Sequence, residues 1–180
     1  MTKPIIGKNC NISNTAIINQ NVIIEDNVFI GEFCVIGFNP NNKLSKKLII
    51  KKNTKINSHS TIYINCKIDD YSKLHSSVHV GQHTRIMSYV YVFPYVVFTN
   101  DPIPPSDIRQ GITLEPFSII CTRSTILPGI KIGFSSFIGA NSLVNKNVDP
   151  EMIGSGNPFR IKGNISNIKI PNTKDEAYPW

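Results

Sequence analysis

The chain has 180 residues, 41% apolar and 17% charged, with 19 Lys and Arg against 12 Asp and Glu, a net charge of +7. This excludes a chain disordered throughout and allows one ordinary globular domain, or two small ones. The basic balance favours anionic partners such as phosphates, nucleotides or nucleic acid without choosing among them.

From the N-terminus, MTKPIIGKNCNIS lacks the apolar core and small-residue cleavage site of a signal peptide, and no later run approaches the roughly 18 apolar residues of a membrane span. A cytoplasmic protein with no membrane insertion is the expectation. Every sixth residue from Ile6 is large and apolar: Ile6, Ile12, Ile18, Ile24, Ile30 and Ile36, then Ile50, Ile56, Ile62, Ile68, Leu74, Val80, Ile86, Val92 and Phe98, then Leu114, Ile120, Ile126, Ile132, Ile138 and Val144. At the chain's apolar frequency an unbroken series of this length has a chance probability on the order of 1 in 10⁸. Four residues after most leaders stands a small residue, such as Cys10, Cys34, Thr54, Ser60, Cys66, Ser72 or Ser124. A period of six is neither helical nor simply alternating. It suits short strands joined by sharp corners, each sending one large and one small side chain inward. Three strands per turn make a triangular prism, an all-β parallel helix of about seven coils rising roughly 34 Å.

Cys10, Cys34 and Cys66 are then core filler, and Cys121, next to a leader, should lie outside the prism. Gly31, Gly37, Gly81, Gly133, Gly139, Asn19, Asn57 and Asn145 each follow a leader and are expected to turn the corners.

The register breaks twice, after Ile36 and after Phe98, each the third leader of its coil, so both insertions should leave the same edge. The first (37–49) carries or borders Lys43, Lys46, Lys47, Lys51, Lys52 and Lys55, a basic cluster suited to phosphate. The second (99–113) holds Pro102, Pro104 and Pro105 and should keep a fixed shape. The rhythm ends after Val144. The organisation expected is a β-helix over 1–149 and a capping segment over 150–180.

These residues carry a resemblance. The chain resembles the left-handed β-helix, hexapeptide-repeat acyltransferases over residues 6 to 162, which implies acetyl-coenzyme A as co-substrate, no metal and a homotrimer. Val97-Phe-Thr-Asn-Asp-Pro-Ile-Pro-Pro-Ser106 is similar to a loop of bacterial N-acetyltransferases that act on nucleotide-linked 3-amino sugars in surface-glycan assembly. That likeness implies that Asn100 lies in the active site. Gly156-Asn-Pro-Phe-Arg-Ile-Lys162 is similar to a segment flanking coenzyme A, which makes Asn157, Pro158, Arg160 and Lys162 the expected cofactor contacts.

Spacing adds a second reading. His83 and Asp101 each lie three residues after a leader and one coil apart, so a carboxylate is expected beside an imidazole, making His83 a possible proton acceptor. Gln82 should lie beneath Asn100. His75, Tyr95 and Asp107 are expected substrate contacts. His59 and His79 are expected to be exposed or interfacial, and Tyr89, Tyr91, Phe93 and Tyr95 to line the trimer interface and cleft. Amine acylation needs no strong base, whereas O-acetylation of a hydroxyl, the alternative, needs a histidine. A metal site built from His75, His79 and His83 is disfavoured, because spacings of four do not converge where facing positions recur at six or eighteen. A flat ice-binding or scaffold face does not suit two insertions, and no known nucleic-acid motif is present.

Overall fold

The computed structural model describes residues 2–40 and 46–178. Strands mostly two residues long, beginning with Ile5–Ile6, Asn11–Ile12 and Ile17–Ile18, stack in parallel register with a partner one coil away. Three sheets result among the described residues: a first face of seven strands, a second of nine and a third of seven. The chain is a left-handed β-helix of seven coils.

The leaders from Ile24 to Val144 form one buried column, each contributing about 1.5–3 kcal/mol by burial. The first coil is the exception: it has a neighbour on one side only, and Ile6 is 49% exposed. Small residues fill the gaps between leaders, and many of their side chains also form a hydrogen bond. Ser60 Oγ donates to His75 O (3.1 Å), Ser72 Oγ to Met87 O (2.7 Å), Ser124 Oγ to Gly139 O (3.1 Å) and Cys66 Sγ to Gly81 O (3.2 Å). Small hydroxyls and thiols in this slot therefore satisfy carbonyls where the chain turns. Cys34 and Cys66 are buried, and burial pushes the Cys66 thiol up to about 12. Cys121 is outside the prism and half-buried.

The corners differ from expectation. Left-handed backbone recurs three residues after a leader, at Asn9, Asn27, Asn53, Tyr71, Tyr89 and Phe117 for example, with φ of 54–62°. Of the glycines and asparagines directly after leaders, only Gly37 has positive φ, at 80°. The others have a different cause at Gly81, where a Cβ would lie 2.7 Å from Phe98 O in the next coil.

Both insertions leave the edge between the third and first faces, joining Val35–Phe38 to Leu48–Ile50 and Val97–Phe98 to Thr113–Leu114. Lys43 lies outside the described residues. At the C-terminal end, Met152–Ser155 extends the second face and turns into Arg160–Asn164, antiparallel to it. Phe159, in the turn, is fully buried in the core, and its N–H donates to Leu143 O (3.0 Å). The hairpin closes an end that would otherwise expose core and strand edges. The tail then brings Tyr178 against Phe137 on the second face, ring centroids 5.9 Å apart.

Candidate active site

The second insertion is a closed loop. Its neck is pinned where Gln110 N–H donates to Asn100 O at 2.8 Å. The returning chain lies so close to the prism that a Cβ on Gly111 would fall 1.9 Å from His83 O. Inside the loop, Asp101 accepts from Ile103 N (3.1 Å), Ser106 N (2.9 Å) and Ser106 Oγ (2.6 Å), and its Oδ2 lies 3.5 Å from Arg109 Nη1. The hydroxyl and amide of Ser106, then the amide of Ile103 and the Arg109 charge, hold the Asp101 carboxyl below the usual carboxylate range. Asp101 is thus the clamp that shapes the loop.

This corrects the expected His83–Asp101 pair. The carboxylate is taken up by its own loop, and the His83 imidazole is exposed on a left-handed corner (φ 66°), with no hydrogen bond or ion pair among the described residues. Being one coil apart puts two backbones together but does not aim their side chains at each other. By register Gln82 lies one coil below Asn100, and Gly81 lies beside the Asn100 side chain as well. A Cβ on Gly81 would sit 3.1 Å from Asn100 Cβ, so the missing side chain makes room for the carboxamide.

Beside Asn100 opens a cleft of about 450 Å³, lined by His79, Val97, Thr99, Asn100, Asp101, Pro102, Pro104, Leu127 and Pro128. His79 is the residue that reading the sequence missed. It precedes leader Val80 on the third face and pairs with Val97 above and Thr61 below. An odd pleat position points outward, so it reaches the cleft floor instead of the corner. Burial lowers its pKa from 6.5, which leaves the imidazole neutral near pH 7. The ring of Tyr63 meets it edgewise, centroids 5.0 Å apart. The signal that could have found it is the outward third-face series Thr61, His79, Val97, Thr125, in which His79 is the one titratable side chain.

The other expected substrate contacts are not brought to this cleft. His75 lies on the second face, stacked on Phe93 (5.1 Å). Tyr95 is exposed at the opposite edge of the third face, 6.0 Å from the Arg123 guanidinium. Asp107 is exposed on the loop and does not line the cleft. His59 is exposed and stacks on Phe33. His75 lies on the second face, His79 on the third, and His83 at the corner between the third and first faces.

The hairpin turn bears on the same face. Leu143 N–H donates to Gly156 O, and Phe159 N–H to Leu143 O, both at 3.0 Å. The register runs His79, Val97, Thr125, Leu143, so the turn lies beside the rung three above His79, about 14 Å along the third face. Asn157, Pro158, Arg160 and Lys162 are exposed there, and neither cation has an ion-pair partner among the described residues.

Comparison with known proteins gives the same architecture. The family model described as bacterial transferase hexapeptide (six repeats) matches residues 3–37. Over 92 residues, 48% of this chain and 44% of the relative, the sequence is 33% identical to a chloramphenicol acetyltransferase of Escherichia coli. The chain therefore spans less than half the length of that curated relative. A UDP-N-acetylglucosamine acyltransferase from Campylobacter jejuni superposes with a TM-score of 0.79 at 19% identity, covering 90% of this chain and 64% of that one. A perosamine N-acetyltransferase from Caulobacter crescentus, solved with CoA and GDP-perosamine, superposes with a TM-score of 0.58 at 14% identity, covering 89% and 58%. At these identities the likeness is one of fold.

Proposed function

We propose that the chain, whose residues 3–37 match a hexapeptide-repeat transferase model, is an acetyl-coenzyme A-dependent N-acetyltransferase, acting on the amino group of a nucleotide-linked amino sugar of the 3-amino-3-deoxyhexose class in surface-glycan assembly. The observation that carries this reading is the pairing of a neutral, half-buried histidine, His79, with the Asn100 carboxamide in one cleft of the third face. The perosamine N-acetyltransferase of the same fold, with its CoA and nucleotide-sugar ligands, supports the acceptor class.

The donor set at the hairpin fits coenzyme A. Arg160 and Lys162 offer two exposed cations for its phosphates, with Asn157 and Pro158 at the turn. When bound, coenzyme A supplies an activated acetyl thioester. From the turn, the outward residues Leu143, Thr125 and Val97 lead to the cleft, a span suited to an extended arm ending at His79 and Asn100. The amine nitrogen attacks the carbonyl carbon, the carbon–sulfur bond breaks, and the nitrogen loses a proton. His79, neutral and in reach of the cleft, accepts that proton and returns it to the departing thiolate. Asn100 cannot serve as a base. Its amide N–H groups stabilise negative charge on the carbonyl oxygen, and its carbonyl can instead orient the amine. Lys46 and Lys47, exposed at the end of the first insertion, are available on the same edge for the nucleotide phosphates.

A homotrimer completes the reading. The outward side of the second face gathers Tyr91, Phe93, Ile119 and Phe137 around an apolar groove of about 370 Å³, a surface suited to burial against a second copy. A solution mass near one chain, 20.1 kDa, argues against it.

The test is thiol release from acetyl-coenzyme A against a panel of nucleotide-linked 3-amino sugars and their 3-hydroxy counterparts. Turnover restricted to the amino sugars upholds the proposal. Turnover restricted to the hydroxy sugars supports O-acetylation, the second reading, for which the neutral His79 supplies the required base. Absence of thiol release with every acceptor in the panel counts against the reading.

A further inference from the structure

Tyr63 packs against the outside of the hydrophobic column and does not line the cleft. It follows leader Ile62 on the outward side of the third face, one coil below His79 and one column across. Its ring meets two others at right angles or nearly so: His79 at 5.0 Å with planes 65° apart, and Phe38 at 5.0 Å with planes 90° apart. Phe38 ends the strand from which the first insertion departs, and Phe38 O accepts from Ile64 N–H at 3.0 Å, which holds that departure point against the coil carrying Tyr63. The three rings form a continuous row from the root of one insertion to the cleft of the other.

We infer that Tyr63 is a positioning residue for His79: braced by Phe38, its ring fixes the imidazole and keeps water from one side of it. The inference rests on the assignment of His79 as proton acceptor for its functional meaning, though not for its physical test.

Two facts favour it. The His79 imidazole makes no hydrogen bond or ion pair among the described residues, although its backbone N–H donates to Val96 O (2.9 Å), so packing is what orients the ring. Its strand neighbours, Val97 and Thr61, are uncharged. The one carboxylate lining the cleft, Asp101, is held by Ser106, Ile103 and Arg109. With no charge directed at the imidazole, exclusion of water is what lowers its pKa, and Tyr63 is the large ring excluding it. Edge-to-face aromatic contacts are directional and worth about 0.5–1.5 kcal/mol beyond area burial, enough to select one ring orientation.

The test is NMR titration of the His79 ring in the full-length wild-type protein and in Tyr63→Phe, Tyr63→Ser and Phe38→Ala, with the pH dependence of kcat for each. Tyr63→Ser should raise the His79 pKa back toward 6.5 as water returns, and the acid limb of kcat should move upward with it. Tyr63→Phe keeps the ring and should titrate as wild type, which also separates a positioning effect from misfolding. Phe38→Ala should give a smaller shift in the same direction. A His79 pKa that is unchanged or lowered in Tyr63→Ser overturns the inference. If the titration shifts as expected but His79→Gln retains full turnover, Tyr63 still positions the ring and it is the catalytic assignment of His79 that fails.

Discussion

His79 and His83 lie in the same coil, four residues apart, and the prism gives them opposite surroundings. His79 sits in a strand of the third face, where pleating turns it outward onto a floor walled by Val97, Leu127, Pro128 and the loop. His83 sits on a corner in left-handed backbone, and its imidazole projects into water. On a β-helix, a strand position shares its surroundings with the coils above and below, whereas a corner position mostly faces solvent. Sequence separation by whole coils therefore predicts which backbones are neighbours, and only the position within the hexad predicts where the side chain goes.

Experiments can break that contrast. The largest effect is expected for Asn100→Ala, about 10²–10³-fold in kcat, the range for removing one donor to a developing oxyanion; a loss below fivefold in steady-state kinetics removes Asn100 from the centre of the site. His79→Gln should lower kcat about 10²-fold, near the low end for general bases, since part of an amine substrate enters unprotonated. Next comes Gly81→Ala. Its Cβ would crowd Phe98 O and Asn100, at a cost of about 1–3 kcal/mol by overpacking. That corresponds to a Tm fall of roughly 2–12 °C in a calorimetric scan, together with reduced turnover. An unchanged Tm and rate would show that Asn100 does not need the glycine floor.

The pH dependence sharpens the comparison further. Burial lowers the His79 pKa from 6.5, so the neutral form persists into mild acid, and kcat at saturating acceptor should fall only as pH drops through a midpoint below 6.5. The same sign applies to stability. The unfolded chain takes up this proton first, so the contribution of His79 is present above about pH 6.5 and is lost as pH falls below it. His79→Gln should abolish the acid limb. The smallest effect is expected for His83→Asn, within about twofold in kcat with the limb intact, because the residue touches nothing in the cleft and asparagine tolerates left-handed backbone.

Much of this was readable in advance. The leaders Ile24 to Val144, the hydrogen-bonding small slots at Ser60 or Ser72, and the shared edge of the two insertions all follow from a period that repeats once per strand. The Phe-Thr-Asn neighbourhood singles out Asn100, and the structure puts that residue in the lining of the cleft. The pairing assigned to Asp101 was not readable, because its partners Ser106 and Arg109 come from the irregular loop, whose path no periodicity describes. Phe159 shows the same limit: as sequence it is one residue of a turn, and in the fold it plugs the open end of the core.

The amino-acid order by itself determined the winding of the chain, since burying one large residue in every six admits few backbones other than a three-sided coil. What only the tertiary structure decided was which outward side chains share a surface. Those contacts depend on pleat direction, on gaps left by residues such as Gly81, and on the course of two loops that interrupt the repeat. The choice of His79 over His83 rests on such contacts between coils, which spacing along the chain does not encode.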